Sequence, residues 1–544
     1  MSFVEALLLD PYRMDLWVAM RTDGVAGTGT QNDPFDGSTQ AKFDAIMSGV
    51  AANTCIHLGP GMFQTNGYSD GASGGWQPKA ATRIVGSGVD ITTLKLAGSS
   101  ANAHFYAVGH AVSSGGQPNS LDFVEVADLT IDCNLGGFSG ASAACGAVRL
   151  FGNHTRVRRI KVINWGTRST SRASFVISVI TATDLAWVED CGIEECIAVN
   201  PASSSNTGPM TVFHCGGTES PPTNPVAYGV APYIRNCFAD SGQSYPFSLE
   251  VRGLSLAWCK AGIIEGNQIH NVSYGVYQQT ANAQDILIRN NWFKNVNKGV
   301  LLGNLGAMSG SGTLAESMSV ATVTISAGHM LSIGDSALLN TTGAYNGIVV
   351  TVQSASFSNT TFTFGTSKTT GDTVNSVQKV FGVGNASRLG NFPAPGSLLI
   401  EGNVVELATA TSGSGIIALH LNDSWAASTP SQDPSNPYYV FSNVVIRDNK
   451  LRYLDGTFES NYVGYGMQLN SAANLLVRNN VIESAPTSPP PMQNDRCGAV
   501  GYFNNQWPSG VLIQGVSGDN GTKYDELSTE ADDALVMGLF NKKS

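Results

Sequence analysis

Apolar and polar positions alternate along most of this chain for only three or four residues before the alternation stops, and the stop itself recurs. An apolar residue is followed by a second two positions on, by a third key position three beyond that, and often by another apolar residue two further along. Four copies read Ile286-Leu287-Ile288-Arg289-Asn290-Asn291-Trp292-Phe293, Leu398-Leu399-Ile400-Glu401-Gly402-Asn403-Val404-Val405, Val444-Val445-Ile446-Arg447-Asp448-Asn449-Lys450-Leu451 and Leu475-Leu476-Val477-Arg478-Asn479-Asn480-Val481-Ile482. Aligned on the second apolar residue, the series is Leu58, Ile84, Val126, Val157, Val188, Ile234, Ile264, Ile288, Ile400, Ile446, Val477 and Ile513. Most steps are about one solenoid coil long.

Three alternating residues make a short strand with one face buried, so the paired apolar residues point inward together. A tight corner must follow. The third key position runs Gly61, Ser87, Leu129, Ile160, Cys191, Cys237, Asn267, Asn291, Asn403, Asn449, Asn480 and Val516, small or apolar at first and then Asn. Asn tolerates the left-handed backbone of a corner, and its amide can bond to the equivalent Asn one coil above and below. A second strand signal precedes several copies: Gly275-Val276-Tyr277-Gln278, Gly299-Val300-Leu301-Leu302, Gly415-Ile416-Ile417-Ala418 and Gly466-Met467-Gln468-Leu469. Two strands and a short third per coil predict an all-β fold, a parallel β-solenoid of about twelve coils.

Composition narrows the function. Charged residues are only 13% and Gly supplies 61 positions, which suits stacked strands with tight turns rather than Lys- and Glu-rich helices. The net charge of −11 repels phosphate backbones and argues against nucleic acid. No apolar run of about 18 residues is present, so no membrane-inserting helix is expected. The N-terminus, Met1-Ser2-Phe3-Val4-Glu5, reaches Asp10 before its first base, Arg13, unlike the basic start of a secretory signal. The nine Cys have no metal-ligand spacing and read as buried thiols, with Cys191 and Cys237 as small fillers of the ladder column.

A helix-forming stretch after Ser38-Thr39, with Phe43, Ile46, Met47 and Val50 on one face, predicts a cap over the first coil. The order Asp33-Pro34, Asp36-Gly37-Ser38-Thr39, that helix, Ile56-His57-Leu58-Gly59-Pro60-Gly61-Met62-Phe63 and then Ile84-Val85-Gly86-Ser87-Gly88 resembles the opening of the pectate-lyase-like superfamily of pectate lyases, polygalacturonases and phage tailspikes. The resemblance covers residues 25 to 305 and 396 to 518. It implies a right-handed parallel β-helix, a groove for an extended polysaccharide and, by analogy with tailspikes, a homotrimer. Arg159-Ile160-Lys161 matches a polygalacturonase tripeptide but falls at a corner, and the family's companion motifs are missing, so no catalytic residue is carried over.

Between Ile288 and Ile400 the motif is absent for 112 residues. Ser319-Val320-Ala321-Thr322-Val323-Thr324-Ile325 and Thr361-Phe362-Thr363-Phe364 bring Thr-rich alternation with hairpin-like turns, which predicts a small inserted β domain. The expected organisation is a cap over 1–50, β-helix over 51–307, insertion over 308–381, β-helix over 382–518, and a C-terminal cap or helix over 519–544.

Outward residues of the Gly-apolar strands are the natural ligand contacts: Val176 and Ser178, Thr211 and Phe213, Glu250 and Arg252, Tyr277 and Gln279, and Leu301. Glu250 beside Arg252 is the acid-base pair of the central coils, with Asp240 as a second carboxylate, and these three are the candidate catalytic residues. Glycosidases need paired carboxylates and lyases need a base near an acidic carbon. Tyr277, Gln279, Phe213, Trp425 and Trp507 are the candidate substrate-binding residues, since flat rings stack on sugar faces. His214 is expected inside the core. No cofactor or metal is expected; the acidic run Glu189-Asp190-Cys191-Gly192-Ile193-Glu194-Glu195 is where calcium could bind, and it reads first as a solvated edge.

These features predict an extracellular, cell-surface or virion-associated β-helix that binds a polysaccharide, with lyase or hydrolase cleavage as the enzymatic version. The alternative is a non-catalytic structural or receptor-binding spike or tail-fibre component.

Overall fold

The structure is a computed structural model describing residues 11–70, 74–110, 122–168, 174–180, 187–202, 208–216, 228–244, 247–257, 259–278, 283–303, 307–317, 319–325, 331, 333–356, 361–368, 371–380, 397–408, 417–422, 441–454, 465–470, 472–483, 492–495, 499–503, 505–506 and 523–525. Short strands dominate, most belonging to one mostly parallel sheet of 35 strands. Parallel strands joined in series, each paired in register with the strand one coil on, define a parallel β-helix. Among the described residues no helix is long and apolar enough to cross a membrane. The chain divides into two compact units, 1–216 with 232–255 and 268–272, and 217–231 with 256–267 and 273–544.

In the first unit, the helix Gln40–Gly49 follows Thr39, whose Oγ1 accepts the Lys42 amide at 3.3 Å in an N-cap. Phe43 and Met47 are buried, and Phe43 packs on Phe63 and Trp76 with ring centroids 5.4 and 6.4 Å apart. Pairing in this unit corrects the predicted register twice. Ile56, not Leu58, is the partner of Ile84. Ile193, not Val188, pairs with Val157 and with Ile234. Both slips arise because several apolar residues two or five apart satisfy the same spacing, and only strand pairing decides between them.

The second slip moves the ladder position from Cys191 to Cys196. The Cys196 Sγ lies 3.5 Å from the Val157 carbonyl and the Cys237 Sγ 3.7 Å from the Ile193 carbonyl, one coil back in each case. These thiols are more than fillers: each donates weakly to the carbonyl at its corner.

In the second unit the column is Asn, as predicted, and it satisfies itself. The side-chain Nδ2 groups of Asn267, Asn291, Asn403, Asn449 and Asn480 donate to the next Oδ1 at 2.9 Å, ending on Asn505. Each of those Oδ1 atoms also accepts the preceding Asn amide at 3.0 to 3.1 Å. From Asn291 to Asn505 every Nδ2 further reaches a carbonyl one coil back: Ile264, Ile288, Ile400, Ile446 and Val477. Asn505 was missed in the sequence, where Val516 was placed last. Val500 to Phe503 pairs with Leu475 to Arg478, which puts Asn505 level with Asn480, but Val500-Gly501-Tyr502-Phe503 lacks the aliphatic doublet. Val516 lies outside the described residues.

The corner is also built differently from expectation. The left-handed residue is the one before the ladder position, with φ of 67° at Gly266, 55° at Asn290, 64° at Gly402, 58° at Asp448 and 54° at Asn479. The first unit has the same device at Asp128, Arg159, Glu195 and Asn236. Gly, Asn and Asp are the residues that pay least for that conformation, which explains the Asn-Asn, Gly-Asn and Asp-Asn doublets.

Asn291 and Asn403 are neighbours across 112 residues, so the solenoid resumes on the next coil as though the intervening chain were absent. That chain forms a separate seven-stranded antiparallel sheet, from Ala307–Ser317 to Asp372–Val380. Its core includes Leu314, Val323, Leu339, Tyr345, Phe362 and Phe364. Asp372 pins its turn, accepting from the Thr341 and Thr342 hydroxyls at 2.7 and 2.9 Å and from the Tyr345 amide at 3.3 Å.

Candidate functional site

Charge on the outer face of the coils is mostly used to stitch one coil to the next. In the first unit Glu125 takes both Arg83 and Arg158, at 3.0 and 2.8 Å. In the second, Arg289 pairs with Glu265 at 2.7 Å and Arg447 with Glu401 at 2.5 Å. The predicted acidic run behaves likewise: Asp190 is held by Arg156 at 2.6 Å and faces His154 at 3.2 Å.

The residues first singled out separate into three groups. Glu250 is exposed and accepts from Arg252 Nε at 2.7 Å, while its carbonyl accepts the Met210 amide. Asp240 Oδ1 accepts from the Gly242 amide and from Asn271 Nδ2, both at 2.7 Å. Both carboxylates thus have an oxygen in use as an acceptor. Phe213 was expected on an outer face and is fully buried, as are Val176, Ser178, Thr211 and Leu301. The whole strand Met210–Gly216 is buried, so no polar face exists for alternation to mark. Tyr277 is 8% exposed and packs edge-on against Tyr274, which leaves little of its ring for a ligand. His214 is in the core as expected, stacked on Phe175 with ring centroids 4.4 Å apart. Gln279, Trp425 and Trp507 lie outside the described residues.

A better-furnished surface lies on the short strands that follow the Asn ladder in the second unit. The strand Trp292–Gly303 pairs with Val404–Leu407, and that with Lys450–Tyr453. Phe293, Val405 and Leu451 point into the core, so period-two alternation turns their neighbours outward. Register then aligns Lys294, Glu406 and Arg452 in one row, and Trp292, Val404 and Lys450 in the next. Lys294 Nζ sits 5.6 Å from the Trp292 ring centroid, a cation–π pair. Arg452 contacts Glu406 directly and comes within 3.8 Å of Glu483, which Lys450 holds at 2.7 Å. The row therefore alternates in sign: Lys294, Glu406, Arg452, Glu483.

Trp292, Lys294, Glu406, Arg452 and Leu454 line a shallow hollow of about 410 Å³. Glu406 is its buried floor at 2% side-chain exposure, whereas Arg452 is 42% exposed and Leu454 41%. Chemically this is a flat aromatic wall, two reachable cations and a carboxylate already oriented by one of them. A hollow of about 610 Å³ in the first unit, beside Asp44, Trp76, Phe105 and Phe138, is larger but less available. Its three rings are buried, and the Asp44 oxygens are taken by Gln40, Thr65 and the Asn66 amide.

In the sequence Trp292 stands only as one residue of a repeat copy, Ile286 to Phe293. The signal that would have singled it out is the triplet after four successive ladder residues, Asn291, Asn403, Asn449 and Asn480, namely Trp292-Phe293-Lys294, Val404-Val405-Glu406, Lys450-Leu451-Arg452 and Val481-Ile482-Glu483. Its middle residue is always apolar, and its last residue changes sign from coil to coil.

No protein-family profile matches the chain, and no curated protein matches it. Among solved structures it is similar to the tailspike protein of E. coli bacteriophage HK620 in complex with a pentasaccharide, at 12% identity and a TM-score of 0.44 over 85% of this chain and 62% of that one. It is also similar to the A-module of Azotobacter vinelandii mannuronan C-5 epimerase AlgE4, at 12% identity and a TM-score of 0.41 over 94% and 98% of the two chains. The likeness is one of fold. The chain spans 62% of the length of the tailspike chain, and the parallel β-helix is established here by its own strand register.

Proposed function

We propose that this protein binds an anionic polysaccharide along the face that carries Trp292, Lys294, Glu406 and Arg452, where Lys294, Lys450 and Arg452 outnumber Glu406 and Glu483 although the chain as a whole is acidic. The observation that carries the reading is their alignment on successive coils: a half-buried indole, two cations and a buried carboxylate in adjoining rows. The indole suits a pyranose ring, and Arg452, held by Glu406 and 42% exposed, suits a carboxylate or sulfate through its remaining N–H groups. Coils stack about 4.8 Å apart, so a polymer of repeating units meets repeating protein groups.

Glu250, Arg252 and Asp240 are proposed as further polar glycan contacts rather than as an acid-base pair. The acceptor bonds that Glu250 and Asp240 already make support this, since a general acid or base must direct its oxygen at the substrate. The working location that fits such a ligand is a cell surface or a virion, and sedimentation analysis tests the homotrimer implied by the tailspike resemblance.

The deciding experiment titrates the full chain with a panel of anionic and neutral oligosaccharides by calorimetry while reducing ends and ultraviolet absorbance are followed. Binding of anionic members, weakened about tenfold in Trp292→Ala and in Arg452→Ala, is expected, which is about 1.4 kcal/mol each. Silence across the panel would leave the stiff structural spike as the function.

A further inference from the structure

The first unit holds a second constellation, far simpler than the glycan face and built from three different donor types. Asp15, Cys55 and His57 present a carboxylate oxygen, a thiol sulfur and an imidazole nitrogen that all lie within 4.8 Å of one another. Strand pairing puts them there. Met14–Ala19 and Thr54–Leu58 run parallel in register, Asp15 beside Cys55 and Trp17 beside His57, while Cys55 and His57 are two apart on one face.

We propose that Asp15, Cys55 and His57 form a three-ligand site for a divalent cation of the zinc class. The donor set is of borderline softness, which selects zinc, cobalt or cadmium over magnesium or calcium. Tetrahedral zinc, with bonds of about 2.0 to 2.3 Å, needs its donors about 3.3 to 3.8 Å apart, a separation these side chains reach by small rotations. The His57 Nε2 to Asp15 Oδ1 distance is already 2.8 Å, so the imidazole edge points at the carboxylate and does not have to find it.

Two features support ligation over a plain hydrogen bond. Trp17 stacks on His57 with centroids 4.5 Å apart and planes 13° apart, and this fixes the ring that would carry the metal. Burial also grades across the site: Cys55 is buried, His57 is 34% exposed and Asp15 58% exposed. A cation would thus sit with sulfur beneath it and solvent above, leaving a fourth position for water. Arg83, level with Cys55 on the next strand, is engaged by Glu125 at 3.0 Å.

The test uses the full chain, stripped with chelator under reducing conditions and titrated with Co²⁺ alone, followed by Zn²⁺. The expected result is one equivalent of Co²⁺ with a thiolate-to-metal charge-transfer band that Zn²⁺ displaces. Cys55→Ser should abolish the band, and His57→Gln and Asp15→Asn should weaken binding at least about tenfold. Absence of the band, its persistence in Cys55→Ser, or unchanged affinity in both other variants would overturn the proposal. Should Cys55→Ser fail to fold by far-ultraviolet circular dichroism, the two exposed-ligand variants decide the matter alone.

Discussion

Asn403 donates its side-chain amide to Asn449 at 2.9 Å although 46 residues separate them, and the same amide reaches the Ile288 carbonyl at 3.1 Å. Both side chains are buried. Truncating such a side chain orphans groups on both sides: the Asn291 backbone and side-chain amides lose their acceptor, the Ile288 carbonyl loses a donor, and Asn449 Oδ1 keeps only the backbone amide of residue 403. Each buried polar group left unmatched costs about 1 to 3 kcal/mol. Asn403→Ala should therefore destabilise the protein by about 2 to 4 kcal/mol in denaturant unfolding. Asn375→Ala, on the extended strand Asp372–Val380, removes one exposed bond to Asn340 at 3.4 Å and should cost under about 0.5 kcal/mol. Equal losses in the two would show that the ladder contributes nothing beyond surface polarity.

The left-handed corner residue makes a separate prediction in each unit. A side chain there costs about 1 to 2 kcal/mol unless it is Gly, Asn or Asp. Glu195, exposed with φ of 54°, is an expensive occupant, as is Arg159, so Glu195→Asn should raise stability by about 0.5 to 1 kcal/mol. Gly402, at φ 64°, is the favourable one, and a Cβ there would also meet Asn290 Oδ1 at 2.5 Å. Gly402→Val should lose about 2 kcal/mol. Gly402→Asn should lose much less, because Asn290 and Asn479 hold equivalent corners. Thermal melts of the three variants check the order.

These two predictions mark where the sequence was legible. The Asn column from Asn291 to Asn480 was readable because each of those copies keeps its aliphatic residues and its Asn at one fixed spacing, whereas Asn505 follows Val500-Gly501-Tyr502-Phe503, which breaks it. Register failed at Leu58 and Val188, where neighbouring apolar residues met the same spacing and strand pairing alone distinguishes them. Phe213 failed for a different reason: alternation reports burial only when one face meets water, and Met210–Gly216 has no such face. The Trp292 surface was overlooked because its partners are 112 and 158 positions away, at Val404 and Lys450, and no local window brings them together.

The N-terminal segment should be acid-labile. Arg21 binds Asp23 and Asp33 at 2.6 and 2.5 Å, and these hydrogen bonds hold Asp23 down to about 2 and Asp33 below the usual carboxylate range. Asp36 is likewise lowered by Lys42. A folded pKa below the unfolded value of about 3.9 gives stability that is present above that pH and lost as pH falls toward 2. Unfolding midpoints of the native protein should drop across that window. Those of Arg21→Gln should start lower and drop less, and parallel curves would refute the assignment.

Buried thiols should be chemically silent. None of the eight described cysteines is in a disulfide, and burial pushes the Cys133, Cys145, Cys191, Cys237 and Cys259 thiols well above their ordinary range. Only the thiolate attacks a disulfide reagent, and only where the reagent can reach it. In the folded protein these five should not react at pH 8, and denaturant should release them together as the coils open. Mass mapping of alkylated peptides before and after denaturation reads this residue by residue. Labelling of Cys133 or Cys145 in the native state would mean that the interior of the first unit opens to solvent far more readily than its packing requires.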